Sequence, residues 1–293
     1  MTSLAAALET TAIALIRRRY SCRVYENTPI DHSAQAQLSD FFTSHPTGPL
    51  GTRVRFSLVA ATDDDRESLK GLGTYGMIKN AAGFLIGAAD VGARNLEDLG
   101  YRLEQAVLLA TELGLGTCWL GGTFSKSGFA RRIDLAAHEA MPAVVAVGNA
   151  AEGNRARDWV RRSAGSDQRL PWERLFFDES FANPMTGEQS RNYAEPLEMV
   201  RLGPSASNKQ PWRVVHRQGV WHFYLQRTKG YGKGSLAFKL LRLADLQRVD
   251  MGIALCHFEL AARELGLTEH WVVEEPDIRK PDQCTEYTVS WKP

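Results

Sequence analysis

The sequence has few cysteines and none of the spacings with which cysteine or histidine usually binds metal. The four cysteines, Cys22, Cys118, Cys256 and Cys284, form no Cys-x-x-Cys pair. Their wide separation argues against a disulfide framework and predicts a reducing compartment. The seven histidines show no His-Glu-x-x-His spacing, so no metal site is predicted.

The chain also lacks an excess of charge and a long apolar run. It has 35 Lys and Arg against 34 Asp and Glu, a net charge of +1, which gives no general attraction to nucleic acid or anionic lipid. No apolar run approaches the length of a membrane span. At the N-terminus, Glu9 interrupts the apolar residues and Arg17–Arg19 follow them, a pattern of an amphipathic helix rather than a signal peptide. We therefore expect a cytoplasmic protein without nucleic-acid or membrane partners.

A long-range repeat is present instead. Residues Asp98–Trp119 align without a gap with Asp250–Trp271, at an offset of 152 residues, and both copies contain Glu-Leu-Gly-Leu. Each copy has apolar residues at helical spacing and ends at a glycine, Gly114 or Gly266, which predicts a helix with a glycine after its last turn.

Extended runs surround both predicted helices, so each half has helix, strand, strand, helix and strand in that order. The predicted strands lie at 55–60, 84–88, 141–148, 212–216, 220–225 and 286–291. This arrangement predicts an α+β fold. We expect an N-terminal half at 1–150, a linker at 151–170 and a C-terminal half at 171–293, the halves packing as two fused protomers in an intrachain pseudo-dimer.

The segment Gly203–Trp212 is rich in residues that favour an irregular, rigid loop. Pro204 and Pro211 rule out a continuous helix or a central strand. Asn208 and Gln210 carry both donors and acceptors, which suits a heterocyclic ligand. The small residues between the prolines are Ser205, Ala206 and Ser207. Composition alone favours an ordinary turn rich in proline, serine and asparagine.

Two other segments could bind a ligand. Clustered arginines over Arg17–Arg23 suit bidentate contact with a phosphate, although a solvated basic helix end is an equal alternative. Gly114–Gly122 is glycine-rich but matches neither a dinucleotide fingerprint nor a P-loop. Thr74–Asn80 places a glycine beside an aromatic residue and a lysine, and it is either part of a pocket wall or a surface turn.

Together these segments resemble the nitroreductase family of FMN-dependent oxidoreductases. Gly203–Trp212 is similar to the family's PSxxNxQPW loop, Arg19–Arg23 to its R-x-S-x-R segment, and Gly114–Gly122 to its GLGxxWxG segment. Arg169 falls in a shorter match to an RLP segment. The resemblance implies FMN contacts from Arg19, Tyr20, Ser21, Arg23, Leu120, Gly121, Gly122, Arg169, Pro204, Ser205, Ala206, Asn208 and Gln210.

The resemblance also implies where the flavin lies. In the family each flavin sits between two subunits, and here the R-x-S-x-R match occurs only in the first half and the PSxxNxQPW match only in the second. The corresponding positions, Thr43–Gly51 and the region near Arg174, lack those motifs. We therefore expect one FMN per chain, in a monomer that acts as a pseudo-dimer.

No set of protein acid, base or nucleophile emerges from the spacing, which fits a cofactor that carries the chemistry itself. The resemblance implies ping-pong transfer of hydride from NAD(P)H through flavin N5 to a small-molecule acceptor, such as a nitroaromatic or a quinone. Two alternatives stay open: a flavin-binding carrier or sensor with little turnover, and another flavin reaction such as reductive dehalogenation.

Overall fold

The computed structural model describes residues 9–44, 46–60, 69, 72–122, 124–152, 165, 168–231 and 244–293. The α-helices within them are α1 Ala12–Arg18, α2 His32–Ser44, α3 Asn95–Glu112, α4 Lys126–Arg132, α5 Ala194–Leu202 and α6 Leu246–Glu264. None of these helices has the length and apolar character needed to cross a bilayer.

The strands form two separate sheets. They are β1 Val54–Ala60, β2 Gly83–Asp90, β3 Gly116–Leu120, β4 Glu139–Ala140, β5 Val144–Gly148, β6 Phe176–Asp178, β7 Trp212–Arg217, β8 Val220–Gln226, β9 His270–Val272 and β10 Thr285–Lys292. The six strands expected from the sequence are present, with bounds that shift by up to three residues. The mixed helix and sheet architecture agrees with the α+β prediction.

The two sheets share one strand order. The first sheet runs β1-β2-β5-β3, with β4 beside β2, and the second runs β6-β7-β8-β10-β9. Without the edge strand β6, the two sheets have equivalent orders. Each begins with two consecutive strands (β1-β2 or β7-β8), continues with the last strand of its half (β5 or β10) and ends with the strand that follows the long helix α3 or α6 (β3 or β9). All neighbours in these four-strand paths are antiparallel, whereas β6 joins β7 in parallel. The repeated order supports the interpretation of two duplicated halves.

Strand β2 shows how the first sheet is covered on both faces. Side chains of a strand alternate between faces. Leu85 joins the central core, whereas Phe84 and Ile86 join a second cluster on the opposite face, which we call the outer cluster. The second cluster includes Phe129 of α4, whose ring meets that of Phe84 edge to face at 5.0 Å between centroids. Burial on both faces explains why β2 is a nearly continuous apolar run.

Helices α3 and α6 pack against each other and carry the repeated sequence. Each is followed by a glycine with left-handed backbone, Gly114 at φ 77° and Gly266 at φ 77°, as the sequence predicts. A Cβ on Gly100 would lie 2.3 Å from the carbonyl oxygen of Val249, and one on Gly252 would lie 2.0 Å from that of Glu97.

These two close approaches are reciprocal. The 152-residue offset relates Gly100 to Gly252 and Glu97 to Val249, so each helix places its glycine against the same carbonyl position of the other. This is the contact pattern of a two-fold interface. It supports the expected pseudo-dimer.

Two expectations lie largely outside the described residues. Of the predicted N-terminal helix, residues 1–8 are not described, and α1 begins at Ala12. The predicted linker at 151–170 is described only at 151, 152, 165 and 168–170.

Candidate functional site

The loop between α5 and β7 has an unusual backbone. Three of its non-glycine residues are left-handed, with φ of 50° at Ser207, 53° at Asn208 and 49° at Gln210. Such conformations are disfavoured for residues with a Cβ and persist only where the surroundings impose them. The side chain of Trp212, which begins β7, is fully buried and anchors the end of the loop. The expected rigid irregular loop is therefore present.

Hydrogen bonds inside the loop and to α6 fix this backbone. The Gln210 amide donates to Ser205 Oγ at 2.8 Å. The Ala206 amide donates to Asp250 Oδ1 at 2.9 Å, which attaches the loop to the second turn of α6.

The two amide side chains singled out in the sequence contact the linker backbone. Asn208 Nδ2 donates to the carbonyl oxygens of Gly165 at 2.7 Å and Gln168 at 3.0 Å. The Leu170 amide donates to Gln210 Oε1 at 2.9 Å. Asn208 and Gln210 therefore join the loop to the segment that carries Arg169.

Arg169 lies at the base of the same loop. Its Nη2 donates to the carbonyl oxygen of Leu202 at 3.1 Å, at the C-terminal end of α5, where the helix dipole favours a cation. The structure thus brings Arg169 beside the loop.

The glycine-rich segment of the N-terminal half reaches the same helix. A Cβ on Gly121 would lie 2.4 Å from Leu246 Cδ1, whereas one on Gly122 would meet no atom of the described residues within 4 Å. Leu246 begins α6 and Asp250 follows one turn later, so the end of β3 and the C-terminal loop both contact the start of α6. Leu120 is buried in the outer cluster of the first sheet.

The arginine segment lies alongside the glycine-rich one. Ser21 forms a bridge with Thr117 of β3, and the Cys22 amide donates to the Thr117 carbonyl at 2.8 Å. On its other side, the Lys79 amide donates to the Arg23 carbonyl at 2.9 Å. Tyr20 packs against the outer cluster. The arginine segment and the glycine-rich segment are therefore neighbours, and Arg19 and Arg23 lie at the two ends of the arginine segment.

Arg19 faces a buried carboxylate. Its side chain is 5% exposed, and its Nε lies 3.6 Å from Glu104 Oε1 on α3. Glu104 also accepts hydrogen bonds from Trp119 Nε1 at 2.7 Å and pairs with His257 Nε2 of α6 at 2.9 Å. This fully buried carboxylate thus links both N-terminal motifs to the central helix of the other half.

Glu104 and His257 are residues that sequence reasoning missed. Their repeat equivalents are Cys256 and Gln105, so this hydrogen-bonded Glu–His pair is absent from the corresponding place in the other copy. The sequence could have indicated this pair only through the difference between the two copies of the repeat at these positions.

Asp250 was also missed, although it begins the second repeat. Its Oδ2 is buried and has no hydrogen-bond partner in the part of the chain that the structure describes. Burial raises the pKa of this carboxyl well above its usual range, even though the Ala206 amide opposes the shift. A buried carboxyl in this setting is favoured in its neutral form.

Its repeat equivalent, Asp98, holds the corresponding loop of the N-terminal half. The amides of Leu50 and Thr52 donate to the two oxygens of Asp98, each at 2.7 Å. Burial raises the pKa of Asp98 as well, against these two hydrogen bonds. The two long helices therefore use equivalent aspartates, Asp98 and Asp250, to attach the loops that precede β1 and β7.

The segment Thr74–Asn80 borders the arginine motif. Its Lys79 contacts Arg23 as described above, and just before it the Gly73 carbonyl accepts from the Ser125 amide at 2.9 Å. Tyr75 is left-handed, with φ 49°, and is 73% exposed. Of the two alternatives for this segment, its turn conformation and the exposure of Tyr75 agree with a surface turn.

A cluster of potential metal ligands lies elsewhere, at Asp90, His138 and Glu139. Both oxygens of Glu139 bind the Arg55 guanidinium, at 2.5 and 2.7 Å. The Arg55 hydrogen bond lowers the pKa of Glu139 to about 2. Arg55 already neutralises this carboxylate, so the cluster serves as an ion pair.

Comparison with known proteins assigns the fold and the family. Residues 11–262 match the family model described as "Putative TM nitroreductase". The crystal structure of a nitroreductase from Thermotoga maritima is similar with a TM-score of 0.59 and 18% identity, covering 96% of this chain and 93% of that one. The chain belongs to this nitroreductase family and has a nitroreductase fold.

Two other structures match about half of the chain. A nitroreductase family protein from Clostridium difficile 630 covers 54% of this chain and 92% of its own, with 18% identity and a TM-score of 0.41. A structure from Desulfovibrio desulfuricans in complex with FMN covers 49% and 88%, with 22% identity and a TM-score of 0.39. No curated protein sequence matches the chain significantly.

Proposed function

We propose that the protein is an FMN-dependent oxidoreductase that binds one FMN per chain between its two halves. The observation that carries the proposal is that two distant segments contact the start of α6. Gly121 packs against Leu246, and the Ala206 amide donates to Asp250. One of these segments belongs to the N-terminal half and the other to the C-terminal half, as the resemblance requires for a site between them.

The residues that we assign to this site carry chemical groups that suit the parts of FMN. Arg19, Arg23 and Arg169 supply positive charge for a phosphate. Among the described residues no atom lies within 4 Å of a Cβ built on Gly122, and the small side chains of Ser205 and Ala206 let a flat ring approach the backbone. We assign Tyr20, Ser21, Leu120, Gly121, Pro204, Asn208 and Gln210 to the same site.

Bound FMN would supply the hydride-accepting and hydride-donating centre. The task of the chain is then to hold and orient the cofactor. Arg19 is fixed by Glu104, and the loop of the C-terminal half is fixed by its left-handed backbone and its anchors to α6 and the linker. Fixed groups lose little freedom on binding, which favours affinity.

We further propose NAD(P)H as the electron donor and a small conjugated molecule, such as a nitroaromatic or a quinone, as the acceptor. These assignments follow from family membership. They imply alternate occupation of one site by donor and acceptor, hence ping-pong kinetics in a monomer that acts as a pseudo-dimer.

Stoichiometry tests the proposed site. Purified protein is saturated with FMN, free flavin is removed, and the flavin-to-chain ratio is read from visible absorption. We expect about one FMN per chain, because only one of the two pseudo-equivalent positions carries both motifs. A ratio near two, or no retained flavin, would contradict the proposal.

Reduction kinetics test the activity separately. The loaded protein is mixed without oxygen with NADH or NADPH in a stopped-flow instrument, and bleaching of the flavin band is followed. Bleaching that keeps pace with turnover of an added quinone supports the oxidoreductase. Bleaching over many minutes with both donors would instead indicate a flavin carrier or sensor.

A further inference from the structure

The acid that attaches the C-terminal loop to α6 is buried and only partly hydrogen-bonded. Asp250 is 3% exposed, and its Oδ1 accepts the Ala206 amide at 2.9 Å. Its Oδ2 is buried without a hydrogen-bond partner among the described residues. A buried carboxyl that makes one hydrogen bond is costly to keep, so its retention needs an explanation.

The loop that Asp250 holds is difficult to form without an anchor. Ser207, Asn208 and Gln210 are all left-handed; the first two lie in a short turn, Ala206–Asn208, and Gln210 follows that turn. The Asp250 bond reaches the first residue of that turn, and Ser205 Oγ reaches the last of the three left-handed residues. Of these two bonds, only the one from Asp250 ties the turn to a long helix.

We propose that Asp250 is a positioning residue for FMN binding, which fixes the loop 203–212 against α6 through the Ala206 amide. The inference rests on the proposed FMN site. Asp250 itself need not contact the cofactor, because its side chain is buried beneath the loop.

The repeat supplies a matched control. Asp98 occupies the same place on α3 and holds residues 50 and 52 of the N-terminal loop. That loop lacks the Asn and Gln of the C-terminal one. Loss of either aspartate removes a buried acceptor from a central helix, but only Asp250 serves the loop assigned to FMN.

The test compares Asp250→Ala, Asp250→Asn and Asp98→Ala in the full chain. Hydrogen exchange of the peptide spanning 203–212 is measured without flavin, and the FMN dissociation constant is measured by fluorescence quenching. Asparagine keeps an oxygen acceptor for Ala206 and mimics the neutral acid, so it should behave like the wild type.

For Asp250→Ala we expect faster exchange in 203–212 and FMN binding weakened by about tenfold, the equivalent of one hydrogen bond. Asp98→Ala should leave both unchanged and speed exchange around residues 50–52 instead. Unchanged exchange and affinity in Asp250→Ala, or an equal loss of affinity in Asp98→Ala, would overturn the inference.

If Asp250→Ala does not fold, Ala206→Pro removes the same hydrogen bond from the loop side. Ser205 before it is extended, with φ −144° and ψ 155°, a conformation that accepts a following proline. If the wild type binds no FMN, the proposed function fails, whereas exchange in 203–212 still decides whether Asp250 fixes the loop.

Discussion

The reciprocal glycine contacts between α3 and α6 give the sharpest test of how the two halves pack. In an exposed helix interior, replacing Gly by Ala stabilises by about 1 kcal/mol. At Gly100 or Gly252, however, the new methyl group would lie 2.3 or 2.0 Å from a backbone carbonyl oxygen of the other helix. A backbone oxygen cannot move aside as a side chain can, so the helices must separate.

Overpacking of a core costs about 1–3 kcal/mol, and more where the backbone must shift. Where the two helices cross, we expect the cost of the steric clash to exceed the gain in helix propensity. The free energy of unfolding should therefore fall by roughly 2 kcal/mol for Gly100→Ala or Gly252→Ala. That corresponds to a fall in Tm of roughly 3 °C for a chain of 293 residues. The double variant should lose less than the sum, because one separation relieves both clashes.

Thermal and urea unfolding measure these effects, with Gly187→Ala as the control. A Cβ on Gly187 would meet nothing within 4 Å, so that variant should match the wild type. FMN retention should fall with stability in the two helix variants, because the start of α6 carries Leu246 and Asp250. Helix variants as stable as the wild type would refute the close reciprocal packing.

Two further predictions concern charged pairs. Arg19→Met should destabilise the fold by about 3 kcal/mol in urea unfolding, because it leaves the buried Glu104 carboxylate without its cation; Arg17→Ala, which breaks an exposed pair, should cost under about 1 kcal/mol. Equal losses would show that Arg19 is not held by the core. Arg55 lowers the pKa of Glu139 to about 2 from 4.5. The stability that the ionised Glu139 side chain contributes to the fold is therefore present above pH 4.5 and lost as the pH falls to about 2. Glu139→Gln should therefore be less stable than the wild type at neutral pH and approach it in acid, and a difference that is constant with pH would contradict this.

Local patterns predicted most of the secondary structure. The strand runs, the two long helices and their glycine ends depend on period and on residues close in sequence, and the structure places them within a few residues of the expected bounds. The repeat also predicted which elements correspond. The loop at 203–212 was recognisable because its prolines exclude regular structure.

Side-chain partners were not predictable in the same way. The sequence did not predict that the side chains of Asn208 and Gln210 bind the backbone of residues 165–170. It also did not predict that the Arg19 Nε lies beside Glu104. Each partner is distant in sequence, so only the packing of elements decides which donor meets which acceptor.

The sequence by itself determined the family resemblance, the duplicated order of elements and the segments that could form a site, because these depend on residue type and spacing. Only the tertiary structure decided that the C-terminal loop and the N-terminal glycine segment meet at the start of α6. The physical reason is that Gly100 and Gly252 allow two helix backbones to approach closely, and this contact fixes how the halves face each other.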